Sequence, residues 1–288
     1  MTMFPNFSPG PLGINVPFNE AVRLAVRFGY GGLDVSIAEL QQIAASQGVD
    51  AIGEQMAGNG LKFGIWTFPF PYRDDEDSWR QGLAELPARA ELARSLGANR
   101  TSTYIAPADD NRNWEENYEF HLARLRPVAQ ILADHGIRFG LEWVGPKTLR
   151  DEKKYDFIHT MEGARQLGAD LGTGQVGLLV DIFHLFTSHT DVSEVRNLTN
   201  AQVVNVHVND AVAGRTADEQ IDFERTLPAE TGLTDIAGFL QALDAIGYDG
   251  PVTVEPFNQR IRELAPADAA RETAESLQKS WQLAGLNS

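Results

Sequence analysis

Short apolar runs alternate with longer amphipathic stretches along the chain. Eight short runs read as strands, at residues 12–16, 33–37, 61–68, 100–105, 137–144, 176–185, 203–208 and 252–257. Several are almost continuously apolar, as in Val176-Gly177-Leu178-Leu179-Val180. Parallel strands covered on both faces have this pattern, whereas a sheet with one wet face alternates. Helical periodicity marks 19–28, 77–96, 114–135, 160–167, 235–246 and 266–283, and a glycine stops most of these segments (Gly29, Gly97, Gly136, Gly168, Gly247). Pro266 stands where a helix starts and a missing N–H costs little, whereas Pro127 should kink or split its helix. Strand, helix, glycine, strand, repeated over 1–288, predicts an α/β fold of one domain, a (β/α)8 TIM barrel. An open doubly wound sheet is the alternative. Its Gly-x-Gly-x-x-Gly mark is absent, because Gly29-Tyr30-Gly31-Gly32 follows a helix and has the wrong spacing. The longest polar excursion is 212–234.

Composition narrows the function. Lys and Arg number 24 against 40 Asp and Glu, a formal net charge of -16. Such a field repels polyanions, and no basic run exceeds the pair Lys153-Lys154, so neither nucleic acid nor an anionic membrane is an expected partner. A small neutral or weakly charged molecule is. The sequence has no cysteine, which removes disulfides, thiolate metal sites and a cysteine nucleophile together. Residues 1–10 lack the basic and apolar segments of a signal peptide, and no apolar run is long enough to span a bilayer, so a cytoplasmic location is expected.

In a barrel the C-terminal strand ends face the site, so an ionisable residue there is a candidate for chemistry. Four consecutive strands carry one: Glu142 in Leu141-Glu142-Trp143, Asp181 in Val180-Asp181-Ile182, His207 in Val206-His207-Val208 and Glu255 in Val254-Glu255-Pro256. Three ionised carboxylates converge in a low-dielectric pocket only with a cation among them. Three oxygen donors and an imidazole suit one divalent metal ion, with Mn, Mg or Co expected and Zn admissible.

Glu142, the stretch Val180-Asp181-Ile182-Phe183-His184, His207-Val208-Asn209-Asp210 and Val254-Glu255-Pro256-Phe257 together resemble the xylose-isomerase-like superfamily of sugar isomerases and epimerases. The resemblance implies that Glu142, Asp181, His207 and Glu255 ligate one divalent metal and that His184 touches the sugar. Arg225-Thr226-Leu227-Pro228 followed by Gly232 is similar to an Arg-x-x-Pro element of ketose epimerases, implying Arg225 as a contact to a substrate oxygen, although residues 210–224 are inserted ahead of it. The glutamate that follows the first ligand in those epimerases is replaced by Gly145-Pro146-Lys147-Thr148. The extra histidines of the related apurinic endonucleases are missing. Association into dimers or tetramers is an expectation the resemblance carries.

Other residues are candidates on position alone. Lys147, just past strand five, is placed to bind a phosphate, carboxylate or substrate oxygen. Trp66, Phe68, Phe70 and Tyr72, with Pro69 and Pro71, suggest a stiff aromatic loop that covers a sugar's apolar face or packs on the rim. Asp210 is a candidate acceptor behind the metal or a helix-start residue. His121, His135 and His159 read as surface residues, and His189 as a weak substrate contact. The expected chemistry is sugar isomerisation or epimerisation by proton transfer through a metal-stabilised enediolate, with Glu142 and Glu255 as catalytic acid and base. A metal-dependent lyase or dehydratase acting on a keto-sugar or keto-inositol uses the same residues, and a sugar-binding barrel without turnover is the non-catalytic alternative.

Overall fold

In the computed structural model, which describes residues 2–68 and 70–286, eight strands close into a parallel barrel: β1 (Phe4–Phe7), β2 (Gly32–Val35), β3 (Lys62–Thr67), β4 (Arg100–Ile105), β5 (Arg138–Trp143), β6 (Val176–Asp181), β7 (Val203–Val208) and β8 (Pro251–Val254). Every neighbouring pair is parallel, and β1 pairs with β8 to complete the circle. The helices are α1 (Phe18–Arg27), α2 (Ile37–Gln47), α3 (Val49–Gly58), α4 (Glu76–Leu96), α5 (Trp114–Asp134), α6 (Met161–Asp170), α7 (Ile182–Thr187), α8 (Ile236–Ala245), α9 (Gln259–Arg262) and α10 (Pro266–Ala284). Closure of the parallel sheet rules out the open doubly wound alternative.

The first strand lies eight residues ahead of the run expected at 12–16. Gly13 takes a φ of 73° there, and the N–H groups of Leu12, Gly13 and Ile14 bond to Pro9 and Gly10 carbonyls, so the segment is a turn. Its apolar residues Leu12 and Ile14 are buried by packing as a loop. β1 itself carries a proline and was not apolar enough to stand out. Asn6 from this strand points into the barrel and donates to Asp34 Oδ1 at 2.7 Å and Thr253 Oγ1 at 3.0 Å.

Three runs read as longer strands end early, two of them because a polar side chain starts a helix. Ser36 accepts from Glu39 N and opens α2, and Asp181 Oδ1 accepts from Phe183 N at 2.8 Å and opens α7. Thus Ile182, Phe183 and His184 belong to a helix. β8 stops at Val254, leaving Glu255, Pro256 and Phe257 as a loop. Residues 37–58, which carried no predicted helix, form α2 and α3. Gly168 does not stop α6, which runs on to Asp170, and Pro127 does not split α5. The helix runs continuously over Trp114–Asp134, and burial of Leu122, Leu125, Val128, Ala129 and Leu132 outweighs one missing hydrogen bond.

The aromatic segment after β3 packs on the rim. Phe68 contacts Phe139 with ring centroids 5.0 Å apart, and the buried Tyr72 donates its hydroxyl to the Tyr104 carbonyl at 2.7 Å. Pro69, named with this loop, lies outside the described residues. His121 is buried, not a surface residue, and packs among Tyr72, Phe120 and Phe157. No helix among the described residues is long and apolar enough to cross a membrane.

Candidate active site

At the C-terminal mouth of the barrel, one ligand atom from each of Glu142, Asp181, His207 and Glu255 lies within 4.8 Å of all the others. Glu142 comes from the end of β5, Asp181 from the last residue of β6, His207 from β7, and Glu255 from just after β8. His207 Nδ1 is 3.2 Å from Glu255 Oε2 and 3.7 Å from Glu142 Oε1. Both Nδ1 and Glu142 Oε1 are buried without a hydrogen-bond partner. Buried polar atoms are rarely left unpaired, and here two of them belong to a set of three carboxylates and one imidazole. That donor set, with those two atoms unpartnered, fits a divalent cation.

The electrostatics carry the strain of this crowding. Burial, then the nearby Glu255 carboxylate, pushes Glu142 well above the usual carboxylate range. Burial acts on Asp181 in the same sense, but Arg225, His184 and His207 outweigh it and hold that carboxyl low. Glu255 is likewise held low against burial by His207 and Arg225. Burial by itself would lower His207, yet Glu255, Glu142 and Asp181 together push its imidazole up to about 10.

Arg225 stands inside the acidic group. Its Nη1 donates to Asp181 Oδ2 at 2.7 Å and to Glu255 Oε2 at 3.2 Å, and its Nη2 to Asp222 Oδ1 at 2.8 Å. The guanidinium is sandwiched between the rings of Phe183 and Phe257, 4.6 and 4.7 Å from their centroids. Two main-chain hydrogen bonds between Asp210 and Thr226 fix the loop that carries it. Asp210 neither faces the cluster nor starts a helix. Its carboxylate accepts from the N–H groups of Ala211, Thr231, Gly232 and Thr234 and so folds the polar excursion.

His184 sits in α7, beside the cluster. Its Nδ1 accepts from Gly145 N at 3.2 Å, which leaves Nε2 as the N–H, 3.7 Å from Glu142 and 3.9 Å from Asp222. Burial keeps its pKa below the ordinary imidazole value. A Cβ on Gly145 would lie 2.5 Å from Thr187 Oγ1 and 2.7 Å from the His184 carbonyl, so only glycine lets the chain leaving β5 pass this close to α7.

Above these groups opens a cavity of about 510 Å³, walled by Glu142, His184, Asp222, Arg225 and Glu255 at its base. Two expected contacts are absent from its wall. Trp66 is fully enclosed in the core, with its indole N–H unpartnered, because β3 directs it away from the opening. Lys147 lies on an exposed turn and pairs with Asp151 at 3.3 Å; Lys153 reaches the cavity rim in its place. His189 is exposed and pairs with Asp218. Sequence reasoning missed Asp222, Phe183 and Asn205. Asp222 lies three residues before Arg225 in the inserted stretch, a spacing that could have suggested a carboxylate partner for it.

A family model described as xylose isomerase-like TIM barrel matches residues 22–280. The chain belongs to this family. Among solved structures, the xylose isomerase domain protein of Alicyclobacillus acidocaldarius superposes with a TM-score of 0.87 at 29% identity, covering 98% of this chain and 99% of that one. The inosose isomerase of Bacillus velezensis is 22% identical over 272 residues, 91% of this chain and 92% of its own length. The 3-dehydroshikimate dehydratase of Pseudomonas aeruginosa is 29% identical over 207 residues, 69% of this chain but 30% of that longer protein. This chain is thus similar both to an isomerase and to a dehydratase.

Proposed function

We propose that the protein is a divalent-metal-dependent isomerase or epimerase of a sugar or sugar derivative. The convergence of Glu142, Asp181, His207 and Glu255, with His207 Nδ1 and Glu142 Oε1 unpartnered, is the observation that carries this reading. These four residues would hold the cation, which when bound supplies a Lewis acid for a carbonyl and its neighbouring hydroxyl. Glu142 and Glu255 reach the cluster from strands three positions apart and so flank a hydroxy-ketone placed above it. One carboxylate removes the carbon-bound proton and the other returns a proton. Return to the adjacent carbon isomerises; return to the opposite face of the same carbon epimerises. His184 presents Nε2–H toward the same space and serves as a donor to a substrate oxygen. Arg225 spends its hydrogen bonds on Asp181, Glu255 and Asp222, so its part is to hold those carboxylates in place as it borders the substrate.

The similarity to a dehydratase favours a second reading in which the same proton abstraction is followed by loss of a β-hydroxyl. The two are separated by incubating keto-sugars and keto-inositols in deuterium oxide with Mn2+. Exchange at the carbon beside the carbonyl supports the shared first step, and release of water in step with it identifies the lyase. Glu255→Gln should lower exchange by about 10²–10⁴-fold. Undiminished exchange in that variant removes Glu255 from proton transfer.

A further inference from the structure

The cavity above the acidic cluster has two unlike ends. Its base is ionisable, but the remaining wall is built mainly from Tyr104, Pro107, Val144, Leu149, Phe223 and Phe257. Lys153 is the one charged group on that side, and its ammonium is taken by Asp110 at 2.7 Å. A ligand carrying a hydroxyl on every carbon would bury some of them against this wall without partners. Each such loss costs roughly five- to a hundredfold in affinity.

Phe223 makes the same point from the protein's side. It is 64% exposed, although folding normally covers so large an apolar ring, and it stands in the inserted stretch at the cavity wall. Its ring meets Phe257 at 5.3 Å between centroids. Phe257 has a φ of 37°, a left-handed conformation that bulky side chains rarely adopt and that is characteristically retained at binding sites. The backbone is thus bent at Phe257, and the rings of Phe223 and Phe257 line a space of about 510 Å³, within the range for small-molecule sites.

We propose that the substrate is a keto-sugar or cyclic keto-polyol bearing a planar apolar substituent, of the aryl glycoside class. Its oxygenated ring lies at the Glu142 and Glu255 end and its substituent against Phe223 and Phe257. This rests on the reading of the acidic cluster as a metal-dependent sugar site. A simple ketose fills only the polar base and leaves Phe223 in water.

The test is calorimetric titration of the full chain. Mn2+ affinity is measured first, and the Mn2+-loaded protein is then titrated with the 3-keto derivatives of 4-nitrophenyl β-D-glucopyranoside and of methyl β-D-glucopyranoside, which share a keto-sugar and differ in the substituent. The expected result is at least tenfold tighter binding of the aryl compound. In Phe223→Ala the difference should shrink below threefold, with Mn2+ affinity unchanged, and Leu149→Gln should narrow it as well. Equal affinities, no binding of either glycoside, or an aryl preference that survives Phe223→Ala overturns the proposal. Failure to bind Mn2+ at all removes the reading of the cluster and this proposal with it, whereas Mn2+ binding without aryl preference removes this proposal alone.

Discussion

The carboxamide of Asn205 places its Nδ2 3.1 Å from Nε2 of His207, inside the barrel, where both residues are almost wholly buried, and leaves its own Oδ1 without a partner. His207 turns its other ring nitrogen, Nδ1, toward Glu142 and Glu255. An imidazole that ligates through Nδ1 must carry its proton on Nε2, and that N–H needs an acceptor. The Asn205 oxygen is the acceptor within reach once the carboxamide presents that end, so Asn205 sets both the tautomer and the orientation of the ring.

Replacing Asn205 by Leu should therefore weaken Mn2+ binding by about 10–100-fold, and Asn205→Asp, which keeps an acceptor, should recover most of it. Calorimetry or the electron paramagnetic resonance signal of free Mn2+ reads this without any substrate. Wild-type affinity in Asn205→Leu would show that the amide has no part in metal binding.

Metal binding should also release protons. In the metal-free protein the carboxylates around His207 push it up to about 10, so at pH 7 the ring is protonated and must lose a proton to ligate. The raised Glu142 adds to this in the same direction. Affinity for Mn2+ should rise by about tenfold per pH unit for each proton released, between pH 6 and 8. Titrations in buffers of different ionisation enthalpy count those protons, and a count of zero contradicts the crowding of the cluster.

Arg225 is the buried counter-charge of three carboxylates, with its side chain 1% exposed. Arg225→Met leaves those charges uncompensated and should reduce unfolding stability on the order of 3–5 kcal/mol, as for other broken buried pairs. Added Mn2+ should restore more stability to the variant than it adds to the wild type, because the cation replaces part of the missing charge. Urea melts with and without Mn2+ check both parts. Equal metal-induced shifts in the two proteins would separate Arg225 from the cluster.

His121 predicts an acid-sensitive term elsewhere in the fold. Burial among aromatic rings lowers its pKa to about 4, although Nδ1 donates to the Asn117 carbonyl at 2.7 Å. Between its unfolded value near 6.5 and pH 4 the unfolded chain binds the additional proton, so stability is full above pH 6.5 and falls as the pH drops. The loss from this residue amounts to about 3 kcal/mol. His121→Phe should flatten the stability profile between pH 6.5 and 4, and a profile as steep as the wild type's assigns the acid loss to other groups.

Much of this architecture could be read along the chain because its determinants are local. Near-continuous apolar runs such as Val176–Val180 mark strands covered on both faces, and the helix stops at Gly97, Gly136 and Gly247 separate the units. The same locality made the four acidic and imidazole positions visible, since each sits directly at a strand end. Local reading failed where a residue's role depended on its partners. Residues 12–16 are apolar enough for a strand, but Gly13 and the prolines around them make a turn, and the strand is the less apolar Phe4–Phe7.

The amino-acid order by itself therefore determined the barrel and the identity of the converging groups, through hydrophobic period and strand position. Only the tertiary structure decided which neighbours those groups meet. Asp222 and Asn205 act through contacts across the chain fold or across a strand's inward face, and Trp66 was lost to the core because burial depends on packing from every side. Lys153 displaced Lys147 at the cavity rim because the path of the loop, not distance from the strand end, sets which cation faces the opening.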